Sequence, residues 1–104
     1  MLVCQWHLDV PYGKQKDAVN AMLAWKKDAM ASSGFKKAGS MRLMVGHIGP
    51  SPAHLVSEYT FESLADWEQA LASMAGPVFQ KHSEALAPLV VAGSQRWEIY
   101  RIAE

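Results

Sequence analysis

Cysteine is nearly absent from this sequence. Cys4 stands alone, so no intrachain disulfide can form and no C-x-x-C zinc or redox pair exists. Charge of either sign in excess is also missing: ten basic residues balance ten acidic ones. A nucleic-acid binder needs a basic footprint to displace counterions, and a surface membrane anchor needs a polybasic stretch; neither is here. No apolar run approaches the roughly 18 residues that a membrane span needs. The apolar start from Met1 to Cys4 is interrupted by Gln5, His7 and Asp9, which predicts no secretory leader. With one thiol and no targeting segment, a cytoplasmic location is expected. Walker loops, dinucleotide fingerprints, nucleophile elbows and H-E-x-x-H are missing as well.

What remains is apolar mass. Half of the 104 residues are hydrophobic, among them six methionines and four tryptophans. That supplies a core for a single domain spanning residues 1–104, and more apolar surface than a chain of this size easily hides.

Periodicity divides the chain into six elements. From Leu2 to Asp9 the residues alternate, with Leu2, Cys4, Trp6 and Leu8 in one phase and Val3, Gln5, His7 and Asp9 in the other; this predicts a half-buried strand. Pro11 and Gly13 mark a turn. Lys14 to Ser32 has helical spacing, with Ala18, Met22, Trp25 and Ala29 in one apolar row and Gly34 as its stop. Phe35 to Gly49 reads as a second strand, and His54 to Phe61, after the Gly49-to-Pro52 turn, as a third. Ser63 is suited to cap a helix carrying Leu64, Trp67 and Leu71, with Asp66 at its positive end. Gly76-Pro77 breaks that helix and opens another, on which Val78, Phe79, His82 and Leu86 share a face until Pro88. Gln95 to Ile102 alternates as a fourth strand.

The order strand–helix–strand–strand–helix–strand is the split βαβ arrangement of an α+β, ferredoxin-like domain: a four-stranded antiparallel sheet with helices on one face. The other sheet face is left bare. A second copy would cover it, giving a homodimeric α+β barrel. The more apolar strand phases belong under the helices. The opposite phases then place Gln5, His7, Arg42, His54, Glu58, Glu98 and Tyr100 on the barrel side.

The element order resembles that of the dimeric α+β barrel superfamily. This group includes NIPSNAP-type proteins, antibiotic-biosynthesis monooxygenase-like domains, EthD-like proteins and stress-responsive barrel proteins. Locally the chain is most similar to NIPSNAP-type domains, on Val45-Gly46-His47-Ile48-Gly49-Pro50, the strand from His54 to Phe61, and Phe61-Glu62-Ser63-Leu64-Ala65-Asp66-Trp67. The superfamily includes cofactor-free oxygenases, haem-degrading enzymes, lyases, isomerases and members without known activity. The resemblance therefore implies a fold and leaves the reaction open.

The candidate site residues each carry two readings. His7 and Glu58 on one face can be a general base and its orienting carboxylate, or a polar pair satisfied inside a dimer interface. Arg42 can hold a substrate carboxylate or enolate, or form an ion pair with Glu58 across the hairpin. Tyr100 can donate to the same oxygen or cap the barrel. His82 follows Phe79 on an apolar helical face, and the resemblance to haem-degrading members implies iron ligation there; those enzymes also use an asparagine on the first strand, which this chain lacks. Without such ligation, His82 is a hydrogen-bonded lining residue. His47 and His54 flank a turn without a nearby carboxylate in sequence, and no metal centre is expected.

Two functions follow from this reading. One is a homodimer binding a small apolar or aromatic organic molecule in the barrel cavity, as a cofactor-independent monooxygenase-like or proton-transfer enzyme. The other is a non-catalytic binding or assembly module. No bound cofactor is required by either.

Overall fold

Residues 1–32 and 34–104 are described by the computed structural model of the chain. Strand β1 (Leu2–Asp9) leads through a turn to helix α1 (Gln15–Ser32). Strands β2 (Met41–Val45) and β3 (His54–Phe61) form a hairpin. Helices α2 (Leu64–Ala72) and α3 (Pro77–Leu86) precede β4 (Arg96–Arg101). The sheet order is β2-β3-β1-β4, antiparallel throughout, as the ferredoxin-like reading requires. Among the described residues, no helix is long and apolar enough to cross a membrane.

Local chemistry sets the element ends. Ser63 accepts a hydrogen bond from the Asp66 amide at 3.2 Å and so caps α2. Pro77 occupies the first turn of α3, where its missing N–H is no loss. Gly13, with φ of +81°, makes the turn after β1 in a backbone region that side chains disfavour.

Strand register decides which side chains meet. Cys4 lies opposite Tyr59, Leu8 opposite Leu55, and Trp6 opposite Trp97. These residues face the helices. Ala18, Met22 and Ala29 of α1 are buried against that side, the row expected from helical spacing. The core forms two clusters. One gathers Cys4, Phe35, Tyr59, Phe61 and Phe79; the other gathers Leu8, Val10, Ala18, Met22 and Leu55.

One element differs from the expectation. The strand expected from Phe35 to Gly49 exists only from Met41 to Val45, and Gly34–Lys37 is a 3₁₀ turn. This turn carries Phe35 into the core, where its ring centroid lies 4.8 Å from that of Tyr59 and 5.2 Å from that of Trp25. A lone buried aromatic at that position fits a strand pattern and a turn equally well, so periodicity did not separate them.

Candidate functional site

The sheet face turned away from the helices carries a continuous polar chain. Its order follows from register. Gln5 stands between Glu58 on β3 and Glu98 on β4, Arg42 on β2 lies opposite Glu58, His7 lies opposite Val56 and Arg96, and Asp9 lies opposite His54. Cross-strand neighbours on one face are within reach of each other's side chains.

At one end, Arg42 Nε donates to Glu58 Oε2 at 2.6 Å. Gln5 Nε2 donates to Glu58 Oε1 at 2.8 Å. The other end of the Gln5 amide, Oε1, lies 2.9 Å from His7 Nε2. His7 Nδ1 then meets His54 Nε2 at 2.8 Å, and His54 Nδ1 meets Asp9 Oδ1 at 2.7 Å. Glu98 Oε2 is 3.7 Å from His7 Nε2 and accepts from Arg96 Nε at 2.7 Å. Six side chains from three strands thus link Arg42 to Asp9.

Burial gives this chain its chemical interest. His7 and Glu58 are 8% and 7% exposed. Burial lowers the pKa of His7 below the ordinary imidazole value; Arg96 and His54 add to the effect, while Glu98 and Asp9 oppose it. Burial pushes the Glu58 carboxyl up, but its hydrogen bonds from Gln5 and Arg42 outweigh that and hold it below the usual carboxylate range. Glu98 is also held low, first by Arg96 and then by the Tyr100 hydroxyl.

A cleft of about 700 Å³ opens over this face. His7, His54, Arg96 and Glu98 form its polar side, and Met44, Val56 and Ile48 part of its apolar side. The wall beyond Met44 is the β2–β3 loop. Gly46 is obligatory there, because a Cβ would run into the Ser51 carbonyl group, 2.7 Å from its carbon. Apolar walls with a few convergent polar groups are what small-molecule sites offer.

The residues singled out from the sequence are placed as follows. His7, Glu58, Arg42 and Tyr100 share the open face. Glu58 does not contact His7, which corrects the expected base–orienter pair: Gln5 stands between them, His7 is hydrogen-bonded to His54 and Gln5, and the carboxylate near it is Glu98. Arg42 is spent on Glu58, which gives the cross-hairpin ion pair. Tyr100 is 53% exposed and donates to Glu98 at 2.8 Å; neither it nor Arg42 lines the cleft. Arg96 is the guanidinium that does.

His82 lies on the helical layer, away from the open face. Its Nε2 is 2.6 Å from Asp28 Oδ2 of α1, a hydrogen-bonded contact that ties α3 to α1. That contact, first through its hydrogen bond, holds the Asp28 carboxyl below its usual value. The Nε2 of His82 is therefore engaged by a carboxylate within the helical layer. His47 is exposed at the cleft rim, whereas His54 joins His7. His54 takes the barrel face expected from its strand phase, but its contacts were not legible in sequence: its partner Asp9 is 45 positions away, and only the β1–β3 register joins them. Among the described residues no group of three or more His, Cys, Asp or Glu side chains is placed to hold a metal ion.

A second, smaller cavity of about 210 Å³ lies on the helical side, lined by Trp6, Trp25, Phe35, Met74 and Trp97 among others. Trp6 and Trp97 are nearly parallel cross-strand neighbours, and Trp25 leans over Trp6 with centroids 5.9 Å apart.

No family model matches the chain, and no curated protein matches its sequence. Solved structures do match its fold. A NIPSNAP domain protein from Burkholderia xenovorans superposes with a TM-score of 0.77 at 15% identity, over 99% of this chain and 95% of that one. A Nitrosomonas europaea protein assigned to the antibiotic biosynthesis monooxygenases gives 0.73 at 13% identity over the whole of both chains. SnoaB, a cofactor-independent oxygenase from Streptomyces nogalater, gives 0.69 at 14% identity over 99% and 93%. The chain therefore has the ferredoxin-like α+β fold that NIPSNAP and monooxygenase-like structures share. Identity this low carries the fold and nothing further.

Proposed function

We propose that this protein is a homodimeric α+β barrel that binds a small, largely apolar organic acid, with an acidic C–H as in an enolisable ketone or an acidic O–H as in a phenol, and moves a proton to and from it through His7. The observation that carries this reading is the Asp9–His54–His7 hydrogen-bonded chain at the floor of an apolar-walled cleft. A carboxylate behind two imidazoles orients the outer ring, and the Asp9 charge opposes the burial that lowers the His7 pKa.

In its base form the pair holds two protons. His54 Nδ1–H donates to Asp9, and His7 Nδ1–H donates to His54 Nε2. The lone pair of His7 Nε2 becomes available once the Gln5 amide oxygen, 2.9 Å away, turns aside. It takes the substrate proton as the C–H or O–H bond breaks, and the bonding electrons remain on the substrate as enolate or phenolate. Asp9 and Glu98 flank the resulting cation, and Arg96 on the cleft wall suits the anion. A resonance-stabilised carbanion is also a species that dioxygen can attack without a cofactor, the class of activity named for the Streptomyces nogalater structure. A second copy over the open sheet face would exclude water from this step. Cys4, a buried thiol whose pKa burial raises, suits a reducing, cytoplasmic setting. Haem ligation by His82 forms no part of this reading, because Asp28 holds its Nε2.

One observation favours the alternative, a non-catalytic binding or assembly module: both ring nitrogens of His7 are already paired within the chain. Deuterium exchange decides between the two. The purified protein is incubated in heavy water with a panel of enolisable aryl ketones, and loss of the acidic C–H signal is followed by proton NMR. General-base catalysis predicts acceleration that falls by about 10²–10⁴-fold in His7→Ala, with light scattering still reporting a dimer. Exchange no faster than buffer across the panel, or equal rates in His7→Ala, would overturn the enzymatic reading. A monomeric mass would overturn the barrel.

A further inference from the structure

The Arg42–Glu58–Gln5 half of the polar chain ends on the same His7 nitrogen that exchanges the proton. We infer that Glu58, held by Arg42, sets the tautomer of His7 through the Gln5 amide, so that Gln5 and Glu58 are positioning residues keeping a hydrogen on Nε2 until the amide turns away. The catalytic consequence rests on the proton-transfer reading above; the tautomer itself does not.

The direction of every hydrogen bond in this half is forced. An ionised carboxylate only accepts. Glu58 accepts from Arg42 Nε at 2.6 Å and from Gln5 Nε2 at 2.8 Å. With its NH₂ committed to Glu58, the Gln5 amide turns its oxygen toward His7 Nε2, 2.9 Å away. An amide oxygen also only accepts, so the hydrogen in that contact belongs to His7. At the far end Asp9 accepts, so His54 Nδ1 carries a hydrogen too.

One more hydrogen lies between His7 Nδ1 and His54 Nε2, 2.8 Å apart. When every bond is made, two rings hold three protons and share one positive charge. Glu98, 3.7 Å from His7 Nε2, and Asp9 flank that charge. Arg96 on β4 and Val56 on β3 lie directly across from His7, and the guanidinium opposes positive charge on that ring.

Removing one proton from this arrangement breaks something. If His7 keeps its hydrogen on Nε2, two lone pairs face each other across the His7–His54 contact. If the hydrogen moves to Nδ1, the Nε2 lone pair faces the Gln5 oxygen. Turning the amide relieves that contact but points its oxygen at the Glu58 carboxylate, which Arg42 fixes in place. The base form of His7 is thus reached only by giving up one hydrogen bond, and Glu58 decides which. A substrate hydroxyl that replaces the Gln5 amide at Nε2 can donate to that nitrogen where the amide oxygen cannot, which removes the lock and couples activation of the base to occupancy of the cleft.

The test is a two-bond ¹H–¹⁵N correlation spectrum of the histidine rings in the full chain, recorded from about pH 6 to about pH 8, across the ordinary imidazole range. In the unsubstituted protein His7 shows a protonated Nε2 whenever the ring is neutral. Glu58→Gln frees the amide to turn, and the share of Nδ1–H tautomer rises roughly tenfold, as loss of one charge-assisted hydrogen bond allows. Glu98→Gln removes a nearby negative charge without touching the amide, so it moves the titration to lower pH and leaves the tautomer as it was. Gln5→Leu serves if Glu58→Gln does not fold, and is expected to mix the tautomers as well. An Nδ1–H tautomer in the unsubstituted protein, or an unchanged tautomer in the folded Glu58→Gln or Gln5→Leu variant, would overturn the inference. These spectra need no substrate, so they stand or fall independently of the deuterium-exchange result.

Discussion

Replacing Gly46 by alanine tests whether the β2–β3 loop and the histidine pair are mechanically one unit. A Cβ at this position would overlap the Ser51 carbonyl oxygen and come within 2.9 Å of the Pro50 oxygen. Both neighbours are backbone, so no side chain can swing aside. The Ser51 oxygen must therefore retreat, and it is the acceptor for the His54 amide at 2.9 Å. The Gly46 amide in turn donates to the His54 carbonyl at 2.9 Å. Losing these two backbone bonds, at about 1 kcal/mol each, sets a cost of about 2 kcal/mol. For a domain of this size that lowers Tm by roughly 8–16 °C. Thermal unfolding followed by far-UV circular dichroism measures the shift. The same displacement should withdraw His54 from His7, and histidine NMR would show the His7–His54 contact weakened. A variant that melts within about 2 °C of the parent would refute the reasoning, since the clash would then have been relieved without breaking either bond.

Two further outcomes follow from burial. The pKa of His7 is lowered in the fold, so the unfolded chain binds a proton at higher pH than the folded one; stability is full above about pH 6.5 and is lost as pH falls through the lower folded value. Urea midpoints measured against pH should show this loss, His7→Leu should remove it, and an unchanged slope in that variant would count against a buried neutral His7. Phe35→Ala should cost about 3–5 kcal/mol, because the ring is wholly buried among Tyr59, Trp25 and Phe61; a loss below about 1 kcal/mol by chemical denaturation would mean that the 3₁₀ turn does not anchor the core.

The division between what was legible and what was not runs along the range of the interactions. A period of two is a property of consecutive residues, so Leu2, Cys4, Trp6 and Leu8 could be assigned to the helical side and Gln5 and His7 to the open side from the sequence alone, and register bears this out. The Ser63 cap and the Pro77 helix start are equally local. Phe35 was not legible, because a single buried ring has no period.

The site was legible only as a face. Sequence placed His7, Glu58 and Arg42 on one surface, yet contact within that surface depends on register, and a hairpin displaced by two residues would keep every side chain on its face while changing every partner. The pairing of Asp9 with His54 gives His7 a second imidazole as its neighbour, and the pairing of Gln5 with Glu58 inserts an amide where a direct carboxylate–imidazole pair was expected. Likewise His82 found Asp28 only when α3 packed on α1. Sequence by itself determined the elements and the side of the sheet that each residue takes, because these follow from neighbours along the chain. Tertiary structure alone decided which donors meet which acceptors, because hydrogen bonds form over about 3 Å and only the folded sheet brings strands from distant parts of the chain that close.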